Sequence, residues 1–351
     1  MKKLLLILLA VHASCFLPHG TRRYSALLRT ADTSISSGAN PSQQLKILYT
    51  GCGGLLIETD SFSILIDPFY SNKGLPILWG RLKTNKAQAD EVARSIEQKC
   101  GGMGRVKYVC IAHSHYDHLF DLPYMLNRHL PADTKIICSQ SSQHLLQHCG
   151  FGSRDFFIPR FDHSYYDSLG LGSSAVLKII RSEHAPHTRF LFWDVKMMTG
   201  EIPPNGVQGF DTTRYQTCYT RWKEGQDFSF LLELKTVSAK PFRIFIQSSS
   251  CTPPAGLPHF LNGQTVDLAL IGVASTNYTK NYPQELLALI KPKHVILIHW
   301  EDFFRAYKKE PKIVRFTRMK EFAKRIRAVE GADYLNKTSM PKQLSCYTIK
   351  Y

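Results

Sequence analysis

The sequence predicts an α/β fold in which stacked β-sheets are covered by helices on both faces. Three observations carry this. Runs such as Ile64-Leu65-Ile66, Lys135-Ile136-Ile137-Cys138, Phe228-Ser229-Phe230-Leu231-Leu232 and Ile244-Phe245-Ile246 read as buried strands. Helical patterns interleave with them at Ala87–Gln98, Pro283–Ile290 and Arg318–Val329, and alternation of this kind packs as layers of sheet and helix. The composition is 44% apolar and 21% charged, which fits a globular domain and argues against a tail or a fibre. The length of 351 residues allows two domains. No linker or repeat divides the chain after Leu45, so 45–351 reads as one domain.

At the start, Lys2 and Lys3 precede the apolar run Leu4 to Val11, which has the length of a signal-peptide core and is too short to span a bilayer. Residues 1–14 therefore read as an export signal. Either signal peptidase cuts after Ala13, or Cys15 becomes the lipid-modified first residue of a bacterial lipoprotein, although His12 stands where such sequences usually have Leu. The second route attaches the chain to a membrane surface through Cys15. Both place it in the periplasm or the bacterial envelope. The polar segment 15–44, rich in Ser, Thr, Gly and Pro, suits a flexible tether. Next comes a Gly-rich bend, Thr50-Gly51-Cys52-Gly53-Gly54. It lacks the Lys-Ser/Thr ending and the following helix of a phosphate loop.

The stretch His113-Ser114-His115-Tyr116-Asp117-His118 packs three imidazoles and a carboxylate into six residues, directly after the strand-like run Val106–Ala112. A turn leaving that strand aims alternate side chains apart. His113 and His115 then face one cation while Asp117 and His118 face a second. Imidazole nitrogen and carboxylate oxygen are donors that zinc accepts at about 2 Å, and a coordination position left open makes such a site catalytic.

This pattern resembles the signature of the metallo-β-lactamase superfamily, and three further blocks resemble it in the same order. Ser63-Ile64-Leu65-Ile66-Asp67-Pro68 is similar to the strand ending in an Asp that orients metal ligands. Val176–His184 is similar to the strand delivering the next ligand, His184. His294-Val295-Ile296-Leu297-Ile298-His299-Trp300 is similar to the buried strand ending in a ligand His. The wording of the first and last blocks resembles the branch of ascorbate-6-phosphate lactonases and N-acyl-phosphatidylethanolamine phospholipase D. The resemblance spans about Leu45 to Phe304. It implies a four-layer αβ/βα sandwich with the metal cleft at one edge between the sheets. It also implies a metal set of His113, His115, Asp117, His118, His184 and His299, with Asp67 behind it.

One block departs from the family. Its bridging Asp follows a strand, and here the strand Phe242–Ile246 runs into Gln247-Ser248-Ser249-Ser250-Cys251. Ser249 falls where the carboxylate belongs, and a hydroxyl is a poor zinc ligand. Cys251 is two residues late, so a small buried Cys is the reading favoured over a ligand. One or two Zn2+ ions are therefore expected, with Mn2+ or Fe2+ as alternatives. A cation on His113, His115 and His184 has three neutral ligands and keeps its double charge, which brings the ionisation of water from 15.7 to about pH 7. Asp117, His118 and His299 hold a second cation. If that position stays empty, Asp117 serves as a base.

Other histidines have weaker roles. His187 competes with His184, whose strand-end position favours it. His163 reads as a surface residue, and His144 and His148 as one solvated helix face. Glu183, Glu301 and Asp302 adjoin presumed ligands and suit supporting hydrogen bonds. The segment Phe190 to Tyr219 reads as an insertion.

The formal charge of +16 falls to +14 without Lys2 and Lys3. Much of the excess lies between Arg305 and Arg327, either near the cleft, where it attracts anionic or lipid-like substrates, or on a solvated helix face. The expected activity is metal-dependent hydrolysis of an ester, lactone, amide or phosphodiester. The alternatives are a nuclease of the same superfamily, disfavoured because no added domain is inserted, and a binding protein that lost catalysis with the bridging Asp.

Overall fold

The computed structural model describes residues 20–29, 32–36, 43–72, 82–185, 189–190, 193–194, 198–217, 221–315 and 317–351. The export signal and Cys15 lie outside them, as do His187 and Met197. Two eight-stranded mixed sheets form the body. The first runs in the order Thr33–Ser36, Cys346–Lys350, Gln44–Gly51, Gly54–Glu58, Ser63–Ile66, Val106–Cys110, Lys135–Ile137 and Phe156–Phe157. The second runs Leu28–Arg29, Thr338–Pro341, His294–Ile298, Leu268–Gly272, Phe242–Gln247, Asp227–Leu234, Ala175–Ser182 and Tyr166–Leu171.

Three apolar clusters separate the layers. The central one joins residues such as Ile47, Ile57 and Ile64 of the first sheet to Phe230, Ile244 and Ile296 of the second. A second packs Val92 and Ile96 of the helix Lys86–Lys99 against the outer face of the first sheet. A third packs Leu287 of Gln284–Ile290 and Phe322 of Met319–Glu330 against the outer face of the second. This is the four-layer αβ/βα sandwich. The central strands are buried on both faces, which is why they appear in the sequence as unbroken apolar runs. The helices expected from periodicity form within about one residue of their expected ends.

The segment expected as a tether differs. In its described parts it is built into the fold: Leu28 pairs with Met340, and Thr33–Ser36 pairs in parallel with Tyr347–Lys350. Asp32 fixes it further, accepting from the Cys346 amide at 3.0 Å and pairing with Lys99 at 2.8 Å. Thr33–Ser36 is an edge strand whose residues alternate between half-buried and exposed. Ser and Thr serve there as well as apolar residues do, so hydropathy carries no sign of it.

Within the expected insertion, Gln216–Thr217 pairs with Leu82–Lys83. Ile202, Val207, Phe210 and the following Trp222 are buried in the outer cluster of the first sheet. The insertion thus covers core, and Met198 also reaches the cleft.

Candidate metal centre

The site lies where strands of both sheets end, the place where open α/β sheets bind ligands. From the first sheet, Ser63–Ile66 delivers Asp67, and Val106–Cys110 leads into His113–His118. From the second, Ala175–Ser182 leads to His184, Phe242–Gln247 to Ser248 and Ser249, and His294–Ile298 to His299. Gly272 makes room for the serine loop: a Cβ there would stand 2.2 Å from the Ser248 carbonyl oxygen.

Backbone contacts set the His113–His118 loop. Asp67 Oδ1 accepts the Ala112 amide at 2.8 Å, and the Ser114 amide donates to the Glu224 carbonyl at 2.7 Å. His115 is extended at the head of the short helix Tyr116–Leu119. Asp117 and His118 follow as successive helical positions and point about 100° apart.

Three imidazoles make a triangle. The ring centroids of His113, His115 and His184 stand 4.7 Å apart along every edge, and one nitrogen from each lies within 4.8 Å of the others. His184 Nδ1 meets the Ala185 carbonyl at 2.6 Å, and His115 Nε2 meets that of Met198 at 3.3 Å. A ring nitrogen that donates outward leaves the other with its lone pair for a cation. His113 is fully buried; its Nδ1 faces a carboxylate oxygen of buried Asp227 at 3.4 Å, and its Nε2 has no hydrogen-bond partner among the described residues. Burial, with His118, His115, His184 and His299 around it, holds its pKa well below the usual value, so the ring is neutral. An orphaned buried nitrogen costs free energy unless something fills the space beside it. A divalent cation fits this donor set.

A second group comprises Cys52, Asp117 and His299, whose donor atoms also lie within 4.8 Å of one another. His299 Nε2 stands 3.3 Å from Asp117 Oδ2. His118 lies between the groups, its ring centroid 3.9 Å from that of His113 and 5.1 Å from that of His299. Its Nδ1 is 2.9 Å from Asp67 Oδ2 and its Nε2 3.8 Å from Asp117 Oδ2. Burial alone would lower the His118 pKa; the Asp67 and Asp117 carboxylates outweigh it and raise the group to about 9. For Asp117 burial pulls upward, and His118 and His299 overcome it, holding the carboxyl well below its usual range. Sequence reasoning grouped Asp117 and His299 with His118. The geometry sets Cys52 beside Asp117 and His299, and holds His118 by Nδ1 on Asp67 with its Nε2 toward Asp117.

Two residues escaped sequence reasoning. Cys52 read as part of a bend. Asp227, the first residue of its strand, is fully buried with Oδ2 3.4 Å from His113 Nδ1. Burial first, then the Asp67 and Glu224 carboxylates, push its pKa well up against the pull of His118. Its signal in the sequence is slight: an acidic residue opening an apolar strand run. Ser249 lines the cleft beside Asp227. Cys251 turns away, its Sγ 2.9 Å from the Ala255 carbonyl oxygen.

Elsewhere, His163 is exposed, His129 pairs with Asp90 at 2.7 Å, and His144 Nδ1 meets the Ile202 carbonyl at 2.8 Å. Glu301 is buried and accepts from the Tyr49 hydroxyl and the Cys52 amide. The basic cluster is largely engaged. Lys308 pairs with Glu91, and Arg325 donates to the Thr276, Thr279 and Tyr282 carbonyls. Arg315 pairs with Asp302 and lines the cleft. The cleft, about 160 Å³, is apolar along Met198, Phe303, Phe304 and Val314, with Ser248, Ser249 and Ser275 among its polar positions.

The fold is thus a four-layer αβ/βα sandwich with imidazole and carboxylate clusters at one edge. Residues 54–135, from the strand Gly54–Glu58 through the His113–His118 loop to the start of Lys135–Ile137, match the family model of the metallo-beta-lactamase superfamily. Among solved structures, the chain is similar to CmlA, a diiron β-hydroxylase from Streptomyces venezuelae, at 13% identity and TM-score 0.50, over 90% of this chain and 55% of that one. It is also similar to Igni18, a metallo hydrolase from Ignicoccus hospitalis KIN4/I, at 14% identity and TM-score 0.47, over 88% and 99%. A third is an isothiocyanate hydrolase from Delia radicum gut bacteria, at 11% and 0.46, over 86% and 98%. These likenesses are of fold. No curated protein matches the chain significantly.

Proposed function

We propose that this protein is a metal-dependent hydrolase of an ester, lactone, amide or phosphodiester. The observation that carries this is the triangle of His113, His115 and His184, with Nε2 of His113 buried and without a hydrogen-bond partner among the described residues. When bound there, a Zn2+ ion (or Mn2+ or Fe2+) supplies a water acidified toward neutral pH and a Lewis acid. The chain does the rest. Asp227 orients His113, Asp67 orients His118, and the short helix presents Asp117 to the cleft, where its carboxylate accepts a hydrogen bond from the attacking water. His118 Nε2 faces Asp117 at 3.8 Å and is available to the second cation position.

Phe303, Phe304 and Met198 offer an apolar wall, and Arg315, held by Asp302 at 3.1 Å, a guanidinium edge, to a substrate with an apolar arm and an anionic group. That chemistry suits a lipid-derived phosphodiester or lactone, in keeping with the branch that the sequence resembles. Residues 1–14 and Cys15 support export to the periplasm or anchoring in the bacterial envelope. The same fold carries a diiron β-hydroxylase in CmlA, so the fold alone does not select hydrolysis.

The test is metal analysis of protein purified without chelators, followed by chromogenic phosphodiesters, lactones and β-lactams with added zinc or manganese. At least one equivalent of tightly held metal, and hydrolysis lost in His113→Ala, is the expected result. A chain that holds less than about one equivalent overturns the reading.

A further inference from the structure

We propose that Cys52 is a ligand of the second cation position, supplying the anionic donor that Ser249 cannot. This rests on the metal reading above and goes beyond it, because the thiol comes from the Gly-rich bend of the first sheet and not from the loop that carries Ser249 and Cys251.

Geometry comes first. Cys52 Sγ stands 4.0 Å from Asp117 Oδ2 and 4.0 Å from His299 Nδ1, and Asp117 Oδ2 stands 3.3 Å from His299 Nε2. Tetrahedral zinc with its usual bond lengths separates sulfur from a nitrogen or oxygen ligand by about 3.6 Å, and nitrogen from oxygen by about 3.4 Å. One imidazole gives a cation a single nitrogen, and with one donor atom from each residue the three lie within 4.8 Å of one another, so closing on a cation takes shifts of about an ångström. Cys251 cannot substitute, since its thiol is spent on the Ala255 carbonyl and receives the Gln247 amide at 3.1 Å.

The backbone supplies a second, independent sign. Cys52, Asp67 and His299 all have left-handed backbones, at φ 51°, 45° and 50°. Non-glycine residues rarely adopt this conformation, and where the surroundings enforce it the site is usually functional. Here the enforcing groups are visible. Buried Glu301 accepts the Cys52 amide at 2.5 Å and the Tyr49 hydroxyl, and that hydroxyl in turn accepts the His299 amide at 3.1 Å. One carboxylate and one phenol thus lock Cys52 and His299, which are 247 residues apart, into facing positions. A buried small residue in a bend needs no such clamp.

Charge makes the two positions unlike. The first, with three neutral imidazoles, leaves a cation its full double charge. The second, with a thiolate and a carboxylate beside its imidazole, neutralises it whether or not the neutral ring of His118 joins. Thiolate also favours zinc and other softer ions over magnesium or manganese.

The experiment is titration of the metal-depleted full chain with Co2+, followed by absorption spectroscopy, in wild type, Cys52→Ser and Cys251→Ser. Wild type is expected to bind two equivalents, one of which brings a near-ultraviolet thiolate-to-cobalt band. Cys52→Ser should lose that band and bind the corresponding equivalent at least about tenfold more weakly, the low end of what losing even an outer partner costs. Its other equivalent should remain, and circular dichroism should show the fold intact. Cys251→Ser should behave as wild type. A band that survives in Cys52→Ser, or vanishes in Cys251→Ser, overturns the assignment. So does one bound equivalent without a thiolate band, which leaves the metal reading standing. A chain that binds no cobalt at all overturns both.

Discussion

Asp67 and His118 are joined across the head of the site, with Oδ2 2.9 Å from Nδ1, while the other oxygen of the same carboxylate holds the Ala112 amide at 2.8 Å. One side chain thus fixes both the ring and the backbone from which the histidine loop departs. Asp67→Asn keeps the shape and tolerates the left-handed backbone, as Asn often does, but removes the charge. Metal affinity should fall about 10- to 100-fold, the usual cost of losing an outer partner of a ligand. Competition against a chromophoric chelator measures it. An unchanged affinity would mean that Asp67 serves the loop alone.

The same pair gives the cation-free protein a pH dependence. His118 is raised from its ordinary value near 6.5 to about 9 in the folded chain, because the Asp67 and Asp117 carboxylates outweigh burial. A group raised in this way adds stability that is full below about pH 6.5 and is lost as pH climbs through 9. Urea unfolding in chelator at pH 6, 7.5 and 9 should therefore show wild type losing more of its margin over Asp67→Asn at each step. Metal loading at pH 7.5 should also release protons into a weak buffer.

Asp121 closes the turn after Asp67-Pro68. Its Oδ2 accepts the Tyr70 and Ser71 amides at 2.6 and 2.9 Å, and Oδ1 the Ser71 hydroxyl at 2.6 Å, all buried. Asp121→Ala strands three donors, at about 1–3 kcal/mol for each that water does not reach. A loss of about 3–5 kcal/mol in urea unfolding is expected, in the range reserved for broken buried networks. A loss under 1 kcal/mol would show that water takes over the donors.

How far the sequence discloses this molecule depends on whether a feature is local. Apolar runs disclose Ser63–Ile66 and His294–Ile298 because strands buried on both faces have no polar alternation to confuse them. His113 to His118, His184 and His299 are legible because each stands just beyond such a run. Cys52 is not, since its meaning arises only when residues 52, 117 and 299 converge from both sheets, and a bend of glycines has an adequate local explanation. Asp227 is hidden in the same way, as an acidic residue at a strand start is ordinarily solvated. Thr33–Ser36 is hidden because an edge strand needs no hydrophobic face.

Ser249 offers a test in which one substitution has opposite effects in two states. It lines the cleft beside Asp227, at the position where a carboxylate was expected. Ser249→Asp places a second carboxylate beside Asp227, whose own ionisation burial already opposes. With chelator present this is like-charge crowding in a poorly solvated site, and stability should fall by about 1–3 kcal/mol. With zinc present the added oxygen becomes a donor between the imidazole triangle and the Cys52, Asp117 and His299 group. The loaded protein should then match or exceed wild type in stability and hold metal more tightly. Urea unfolding of both proteins with chelator and with zinc reads the two signs. Equal destabilisation in both conditions would place residue 249 outside the reach of any bound ion.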